Sequence, residues 1–240
     1  MNASSLLRLS ALTRLGLALL LPGLPPARLQ AADAPAAYLA AGLPDSRQIL
    51  PPPPLPDSPE QAADMAAVAN VARAASSNEV AAAFAEKKFS AFNFTPAIGA
   101  YFTAEKLPLT AGFLARVQHE AAVATDAAKL LWHRPRPFVL DPSLATGKLE
   151  ASFSYPSGHS TEGYVVALVL ADLVPDRRDA ILAIGRSLGW HRVQIARHYP
   201  SDIHAGRIYG LAIYRELRAS EAYRRDFAQA AAELAAAGKP

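Results

Sequence analysis

The segment from residue 110 to about residue 133 constrains the fold of this chain most, because it contains no proline and no glycine beyond Gly112. Apolar residues recur along it at steps of three and four, the spacing that places them on one face of an α-helix. The stretch HRPRPF then ends the pattern, since proline cannot continue a helix. The sequence therefore predicts one long helix over residues 110–133.

Capping residues and prolines predict further helices on both sides of this segment. Ser58, Pro59 and Gln61 supply an N-cap serine, a proline at the first helical position and a glutamine at the third, which predicts a helix to about residue 75. Other helices are predicted over residues 78–86, 95–103, 159–173, 176–196, 201–217 and 226–238, with a loop over 139–155. The sequence contains no strand-like alternation, internal repeat or second domain boundary. We expect an all-α, single-domain helical bundle.

The first residues have the pattern of an export signal. Arg8 and Arg14 precede the uncharged run 15–21, and small residues follow around Ala31. The apolar run is too short to span a bilayer. We expect a signal peptide over residues 1–32 with an approximate cleavage site, and a periplasmic or secreted location; retention as an anchor is the alternative.

The segment after this leader is rich in proline. Residues 51–54 are four consecutive prolines, which exclude a helix or a central strand and favour an extended polyproline conformation. We interpret residues 33–57 as an arm lying on the domain. Residues 58–240 then form the helical domain itself.

Charge and cysteine content exclude several functions. The chain has 24 basic and 21 acidic residues, and loss of the three arginines of the leader would leave 21 of each. The basic balance of the whole chain therefore gives no support to nucleic-acid binding or to a membrane-surface role. The chain has no cysteine, which excludes disulfides, thiolate chemistry and cysteine zinc sites.

Three separated motifs contain the groups that could carry chemistry. They are Lys129-x6-Arg136-Pro137, Pro156-Ser157-Gly158-His159 and Arg192-x5-His198-x3-Asp202. Taken singly, each has a structural explanation: a surface pair between Lys129 and Asp126, turn chemistry, or a hydrogen bond at a helix end. The order and spacing of all three together favour a shared site.

With these motifs in this order, the chain resembles the type-2 phosphatidic acid phosphatase superfamily. Within it, the chain is most similar to the bacterial class A non-specific acid phosphatases, which share the exported leader, a segment like ILPPPPLPDSPEQAAD and the element Ser154–His159. The resemblance implies a phosphomonoesterase with its active site between core helices. One departure is His191, which stands where the pattern has serine.

The residue types suit a phosphate site. Lys129, Arg136 and Arg192 are three cations that could bind a phosphate dianion without a metal ion or other cofactor. A helix that begins near His159 would direct backbone N–H groups at the anion. There Ser157 adds a donor, and Gly158 presents no side chain to obstruct it.

The two motif histidines suit different roles. Asp202 could accept the Nδ1 proton of His198, which leaves Nε2 free to attack phosphorus and form a phosphohistidine. His159 would protonate the leaving oxygen and then activate water. This scheme predicts an optimum below neutrality and competition by alcohols for the phosphoryl group. His191 and Tyr155 are possible auxiliary residues.

Other interpretations stay open at this point. They are a vanadium-dependent haloperoxidase, an integral-membrane lipid phosphatase, a non-catalytic anion-binding protein, and zinc binding by His198, Asp202 and His204. For the preferred interpretation we expect small phosphomonoesters as substrates, phosphate or vanadate as inhibitors, no nucleic-acid partner, no stable membrane span and a possible homo-oligomer. His119, His133 and His204 are interpreted as structural.

Overall fold

The computed structural model describes residues 37–237, and every regular element within them is helical. The all-α prediction is confirmed for this part of the chain. The α-helices are α1 Ser46–Ile49, α2 Pro59–Ala74, α3 Ser77–Ala85, α4 Thr95–Ile98, α5 Pro108–Trp132, α6 Pro137–Leu140, α7 Gly158–Leu173, α8 Arg178–Gln194, α9 Pro200–Ala219 and α10 Glu221–Ala237. Single 3-10 turns cover Ala91–Phe94, Pro142–Leu144 and Pro175–Arg177.

Helix α7 lies at the centre of the bundle. It packs against α5, α8 and α9, and it is buried along nearly its whole length, as expected for a helix that is apolar on all sides. Small residues allow this close packing: a Cβ added to Gly185 would lie 2.5 Å from Ala167 Cβ, and one added to Gly206 would lie 2.7 Å from Ser160 Cβ. The contact at Gly206 brings α9 close to the start of α7.

Helix α5 is the long helix predicted from the sequence. Pro108 opens it, and His133 ends it in a left-handed conformation (φ 48°), with its N–H donated to the carbonyl oxygen of Lys129. That termination turns the chain sharply at the start of HRPRPF. Lys129 is thereby placed in the last turn of α5, next to the loop that leads to α7.

Several helix boundaries differ from the sequence expectation. The helix expected over 95–103 ends at Ile98, because Gly99 adopts φ 131°, outside the helical range. The helix expected from residue 201 begins at Pro200, with Tyr199 as its N-cap, and Asp202 accepts a hydrogen bond from the Tyr199 backbone N–H. The helix expected over 226–238 begins five residues earlier, at Glu221. The loop expected over 139–155 also contains a helical turn at Pro142–Leu144.

The expected leader, residues 1–32, lies outside the described residues. From residue 37 onward the proline-rich arm lies against the helices: Tyr155 donates to the carbonyl oxygen of Pro51 at 2.6 Å, and Tyr209 donates to that of Pro44 at 2.9 Å. Helix α1 interrupts the arm with one helical turn. Across residues 37–237, none of the helices combines the length and the hydrophobicity that crossing a membrane requires.

Candidate active site

The start of α7 forms the floor of the candidate site. Ser157 is its N-cap and is fully buried; its Oγ accepts from the Ser160 backbone N–H, and its own N–H donates to the carbonyl oxygen of Asp202 at 3.1 Å. Because Ser157 Oγ only accepts in that contact, its hydroxyl proton remains available to another acceptor. Gly158 follows as the first helical residue, as the motif predicts, so the positive end of the α7 dipole lies here.

His198 contacts a cation on one side of its ring and a carboxylate on the other. Its Nε2 lies 3.2 Å from Arg136 Nη1, and its Nδ1 lies 3.3 Å from Asp202 Oδ2. Since a guanidinium can only donate, Nε2 must be the acceptor and the proton must sit on Nδ1. Burial and the charge of Arg136 lower the pKa of His198 well below its usual range. The ring is therefore neutral, with its lone pair on Nε2.

Asp202 is fully buried and remains ionised. Its Oδ2 accepts from Ser154 Oγ at 2.5 Å and from the Tyr199 N–H at 2.9 Å, and its Oδ1 accepts from Arg134 Nη1 at 2.6 Å. Burial raises the pKa of this carboxyl, but the hydrogen bond from His198 and the charge of Arg134 outweigh burial and hold the pKa at about 2. At neutral pH a carboxylate is thus available to accept the Nδ1 proton of His198.

Lys129 lies beside this pair at the end of α5. Its Nζ donates to the carbonyl oxygen of Phe153 at 2.7 Å, and only 5% of the residue is exposed. Burial and then the charge of Arg136 lower the pKa of Lys129 to about 7. Near neutral pH the lysine is therefore only partly protonated, and a bound anion would favour its cationic form.

His159 lies in the first turn of α7 and also interacts with the cations. Its Nε2 donates to the carbonyl oxygen of Glu86 at 3.1 Å, which assigns the ring proton to Nε2. Burial and the charge of Arg192, followed by those of Arg136 and Lys129, lower the pKa of His159 to about 4. All three motif cations are therefore close enough to act on this ring.

Arg192 reaches the site from α8 with an unused donor. Its Nη2 donates to the carbonyl oxygen of Ala83 and lies 3.7 Å from Glu86 Oε2, whereas its buried Nε has no acceptor among the described residues. Burial lowers its pKa to about 10, so the guanidinium stays charged at neutral pH. A buried donor without an acceptor is costly, and an oxyanion at the site would satisfy it.

The two auxiliary candidates have other contacts in the structure. His191 Nδ1 lies 2.7 Å from Glu86 Oε2, so the residue that replaces the family serine binds the end of α3. Tyr155 is 2% exposed; its ring packs edge-on against Trp132, and its hydroxyl donates to Pro51. Both residues hold neighbouring segments in place through these contacts. The hydroxyl of Tyr155 is used in its contact, whereas His191 keeps its second ring nitrogen, Nε2.

The structure adds site residues that the sequence patterns did not identify. Arg134, Gln61 and Asp64 form a buried cluster behind Asp202, and Ser154 and Glu86 contact the two histidines. One signal was available: Gln61 and Asp64 share the buried face of α2 with Val68, although α2 is otherwise rich in alanine. Polar residues on a buried helix face require polar partners.

The remaining histidines have no contact with this cluster. His119 and His204 are exposed, and His133 caps α5 with its ring 4.6 Å from that of Phe153. The arrangement does not support zinc binding through His204, because that side chain is exposed whereas Asp202 is fully buried. Among residues 37–237, no group of three or more His, Cys, Asp or Glu side chains could hold a metal ion.

Comparison with known proteins finds a matching family model. The model of the PAP2 superfamily matches residues 109–226, a range that contains Lys129, Arg136, His159, His198 and Asp202. This range is just under half of the chain, and over it the chain is similar to the PAP2 superfamily. The resemblance predicted from the three motifs is thereby confirmed.

Curated relatives of this chain include bacterial acid phosphatases. It is 35% identical over 147 residues to an acid phosphatase of Zymomonas mobilis, covering 59% of this chain and 56% of the relative. It is 32% identical over 147 residues to a non-specific acid phosphatase of Salmonella typhimurium, covering 59% of each chain. The matches thus span less than two thirds of these relatives.

A crystal structure of a transmembrane PAP2-type phosphatidylglycerolphosphate phosphatase from Bacillus subtilis aligns with a TM-score of 0.47 at 18% identity, over 66% of this chain and 84% of that one.

Proposed function

We propose that this protein is a metal-independent acid phosphatase that hydrolyses phosphomonoesters through a phosphohistidine at His198. The observation that carries the proposal is the contact of His198 with Arg136 on one side and Asp202 on the other, at the start of α7. The Nε2 of His198 lies 3.2 Å from Arg136, its Nδ1 lies 3.3 Å from Asp202, and the Ser157 N–H donates to the carbonyl oxygen of Asp202. A phosphoryl group in transfer spreads negative charge over its equatorial oxygens, and fixed cations stabilise that charge.

The binding step uses donors that are already in place. Arg136 already donates to Ser152 and to the carbonyl oxygen of Arg197, so its contact with His198 and one remaining N–H of Nη2 are what it can offer to a phosphate oxygen. Arg192 can donate through its guanidinium, and Lys129 adds a point charge. The unpartnered Nε of Arg192 and the hydroxyl proton of Ser157 are further donors. Arg136 must give up its contact with His198 Nε2 when it turns to a phosphate oxygen, which frees the nucleophilic lone pair.

The covalent step follows from the protonation states of the two rings. His198 Nε2 forms a bond to phosphorus, the ester P–O bond breaks, and Asp202 stabilises the charge that develops on the ring. The leaving oxygen takes a proton from the cationic form of His159. In the second step His159 accepts a proton from water, the oxygen of water bonds to phosphorus, and the P–N bond breaks to release orthophosphate. An alcohol in place of water would give a new phosphate ester.

The decisive experiment replaces the proposed nucleophile. His198→Ala should abolish hydrolysis of a chromogenic phosphomonoester while inorganic phosphate still binds, because the cations and the start of α7 remain. The wild-type protein should keep its activity after exhaustive chelation. Undiminished turnover in His198→Ala would refute the nucleophile, and activity restored only by a divalent ion would refute metal independence. Peroxide-dependent bromide oxidation with added vanadate would instead favour the haloperoxidase alternative.

The remaining functional expectations are part of the same proposal. Small phosphomonoesters are the substrate class, and inorganic phosphate and vanadate should inhibit by occupying the same cations. A periplasmic or secreted location, with a signal peptide removed, is supported by the pattern of residues 1–32 alone. Detection of the processed protein in a periplasmic extract would test that location.

A further inference from the structure

Arg134 is a buried guanidinium with four side-chain acceptors. It is 4% exposed, and Nη1 donates to Asp202 Oδ1 at 2.6 Å and to Ser201 Oγ at 2.7 Å. On its other side, Nη2 donates to Asp64 Oδ2 at 2.8 Å and to Gln61 Oε1 at 2.7 Å. An arginine that only caps a helix end at the surface would keep its guanidinium in water. The buried contacts of Arg134 therefore indicate a different role.

The contacts divide the carboxylate of Asp202 into two halves. Arg134 occupies Oδ1, whereas His198, Ser154 and the Tyr199 N–H all lie on Oδ2. Because a carboxylate is planar, holding Oδ1 also sets the direction in which Oδ2 faces the imidazole. The guanidinium lies over the ring of Tyr199 at 3.9 Å, which restricts its own movement.

Helix α2 holds the other side of this guanidinium. Asp64 forms a buried ion pair with Arg134 and also accepts from Ser201 Oγ, so α2 is joined to the first turn of α9. A buried ion pair costs solvation energy, and replacement by apolar residues is often neutral for stability. The arrangement therefore suggests a role in orientation and charge beyond stability.

We propose that Arg134 is the positioning residue of the active site, which holds Asp202 ionised and directed at His198 with Asp64 and Gln61 as its anchors. This inference rests on the proposed function and deepens it. Arg134 does not touch the reacting atoms; it acts through Asp202. The motif Lys129-x6-Arg136-Pro137 specifies Arg136 and leaves position 134 unspecified.

The charged groups around Asp202 set the direction of the expected pH effect. His198 and Arg134 contact it, and Lys129 and Arg136 act on it from a greater distance. Removal of Arg134 leaves the buried carboxylate of Asp202 with less positive charge beside it. Its protonation would then occur at higher pH, by about 1–3 units for loss of one adjacent opposite charge.

The test compares Arg134→Gln and Arg134→Lys with two controls. Asp64→Asn changes a partner of Arg134 but keeps the positively charged Arg134 next to Asp202. Arg73→Gln removes an exposed arginine from α2, the helix that contains Asp64. For each folded variant we would measure kcat and KM against pH. The His198 ring would be followed by ¹⁵N NMR against pH without substrate, which reports on Asp202 even in a protein without turnover.

In Arg134→Gln we expect the acid limb of kcat to move to higher pH, with KM little changed. The pH at which the His198 signals report protonation of Asp202 should move to higher pH with it. Arg134→Lys keeps the charge but cannot reach four acceptors, so kcat should fall by about 10²-fold, the cost of a misplacement near 1 Å, with the acid limb in place. Asp64→Asn should leave the acid limb in place and Arg73→Gln should match the wild type.

An unchanged His198 titration and acid limb in Arg134→Gln would overturn the proposal. If that variant does not fold, wild-type kcat in Arg134→Lys would overturn it instead. A wild-type protein without phosphatase activity would refute the proposed function alone, because the NMR titration would still decide whether Arg134 controls Asp202.

Discussion

At the scale of single residues, the pKa values of His159 and Lys129 differ from those of exposed side chains. Burial and nearby cations lower the pKa of His159 to about 4 and that of Lys129 to about 7. Both groups need to be cationic in the proposed reaction. A bound phosphate dianion would offset the same cations that depress these pKa values, so binding of the anion should itself supply the missing protons.

This gives a prediction for His159. Its pKa should rise by about 1–3 units when inorganic phosphate binds, because the added negative charge favours the imidazolium. An NMR titration of the histidine rings, with and without phosphate, would measure the shift. The same titration of the Gly112→Ala variant, whose substitution lies in open space, is the control and should match the wild type. A His159 titration that stays the same at saturating phosphate would contradict the assignment of this ring as the acid.

At the scale of elements, glycines in α8 and α9 determine how tightly α7 is enclosed. A Cβ at Gly206 would lie 2.7 Å from Ser160 Cβ and 2.9 Å from the carbonyl oxygen of Ser157. These atoms belong to the first turn of α7, where the anion would bind. The position of α9, which carries Asp202, thus depends on residue 206 being glycine.

We therefore predict that Gly206→Ala destabilises the protein by about 1–3 kcal/mol through overpacking. It should also lower kcat, because α9 must move away from Ser157. Urea unfolding and steady-state kinetics would measure the two effects. The matched control is Gly112→Ala in α5, where no atom lies within 4 Å of the added Cβ. That variant should be neutral or more stable by up to about 1 kcal/mol; equal behaviour of the two variants would contradict the packing argument.

At the scale of the whole molecule, the segment before α1 is part of the core. Tyr38 is 4% exposed, and its ring contacts those of Phe113 and Tyr223. Its backbone N–H donates to Glu120 at 2.8 Å, and its hydroxyl donates to Asp226 at 2.7 Å. One residue thus joins the arm to α5 and α10.

We predict that Tyr38→Ala lowers the free energy of unfolding by about 3–5 kcal/mol, the range for loss of a buried aromatic side chain. The kcat of the folded variant should stay close to that of the wild type, because the contacts of Tyr38 involve none of the proposed catalytic groups. Leu55→Ala in the same arm is the control, since Leu55 is 71% exposed. A Tyr38 variant as stable as the Leu55 variant would show that the arm is not part of the folded core.

The three motifs were accessible from the sequence because each is defined by short spacing along the chain. Ser157 and Gly158 combine an N-cap serine with a glycine just before an apolar helical run, which predicts the helix start that the structure has. The contacts of His191 were not accessible in this way. Its partner Glu86 lies 105 residues away at the end of α3, and no local rule connects the two.

The sequence by itself determined the all-helical fold, the long helix α5 and the three motifs, because periodicity, capping and proline placement act over a few residues. Only the tertiary structure decided that Arg134 is buried behind Asp202, that Tyr155 holds the arm and that His159 and Lys129 have lowered pKa values. These properties depend on which groups burial brings together and on how little water remains between them. They arise from distances across the bundle, which spacing along the chain does not specify.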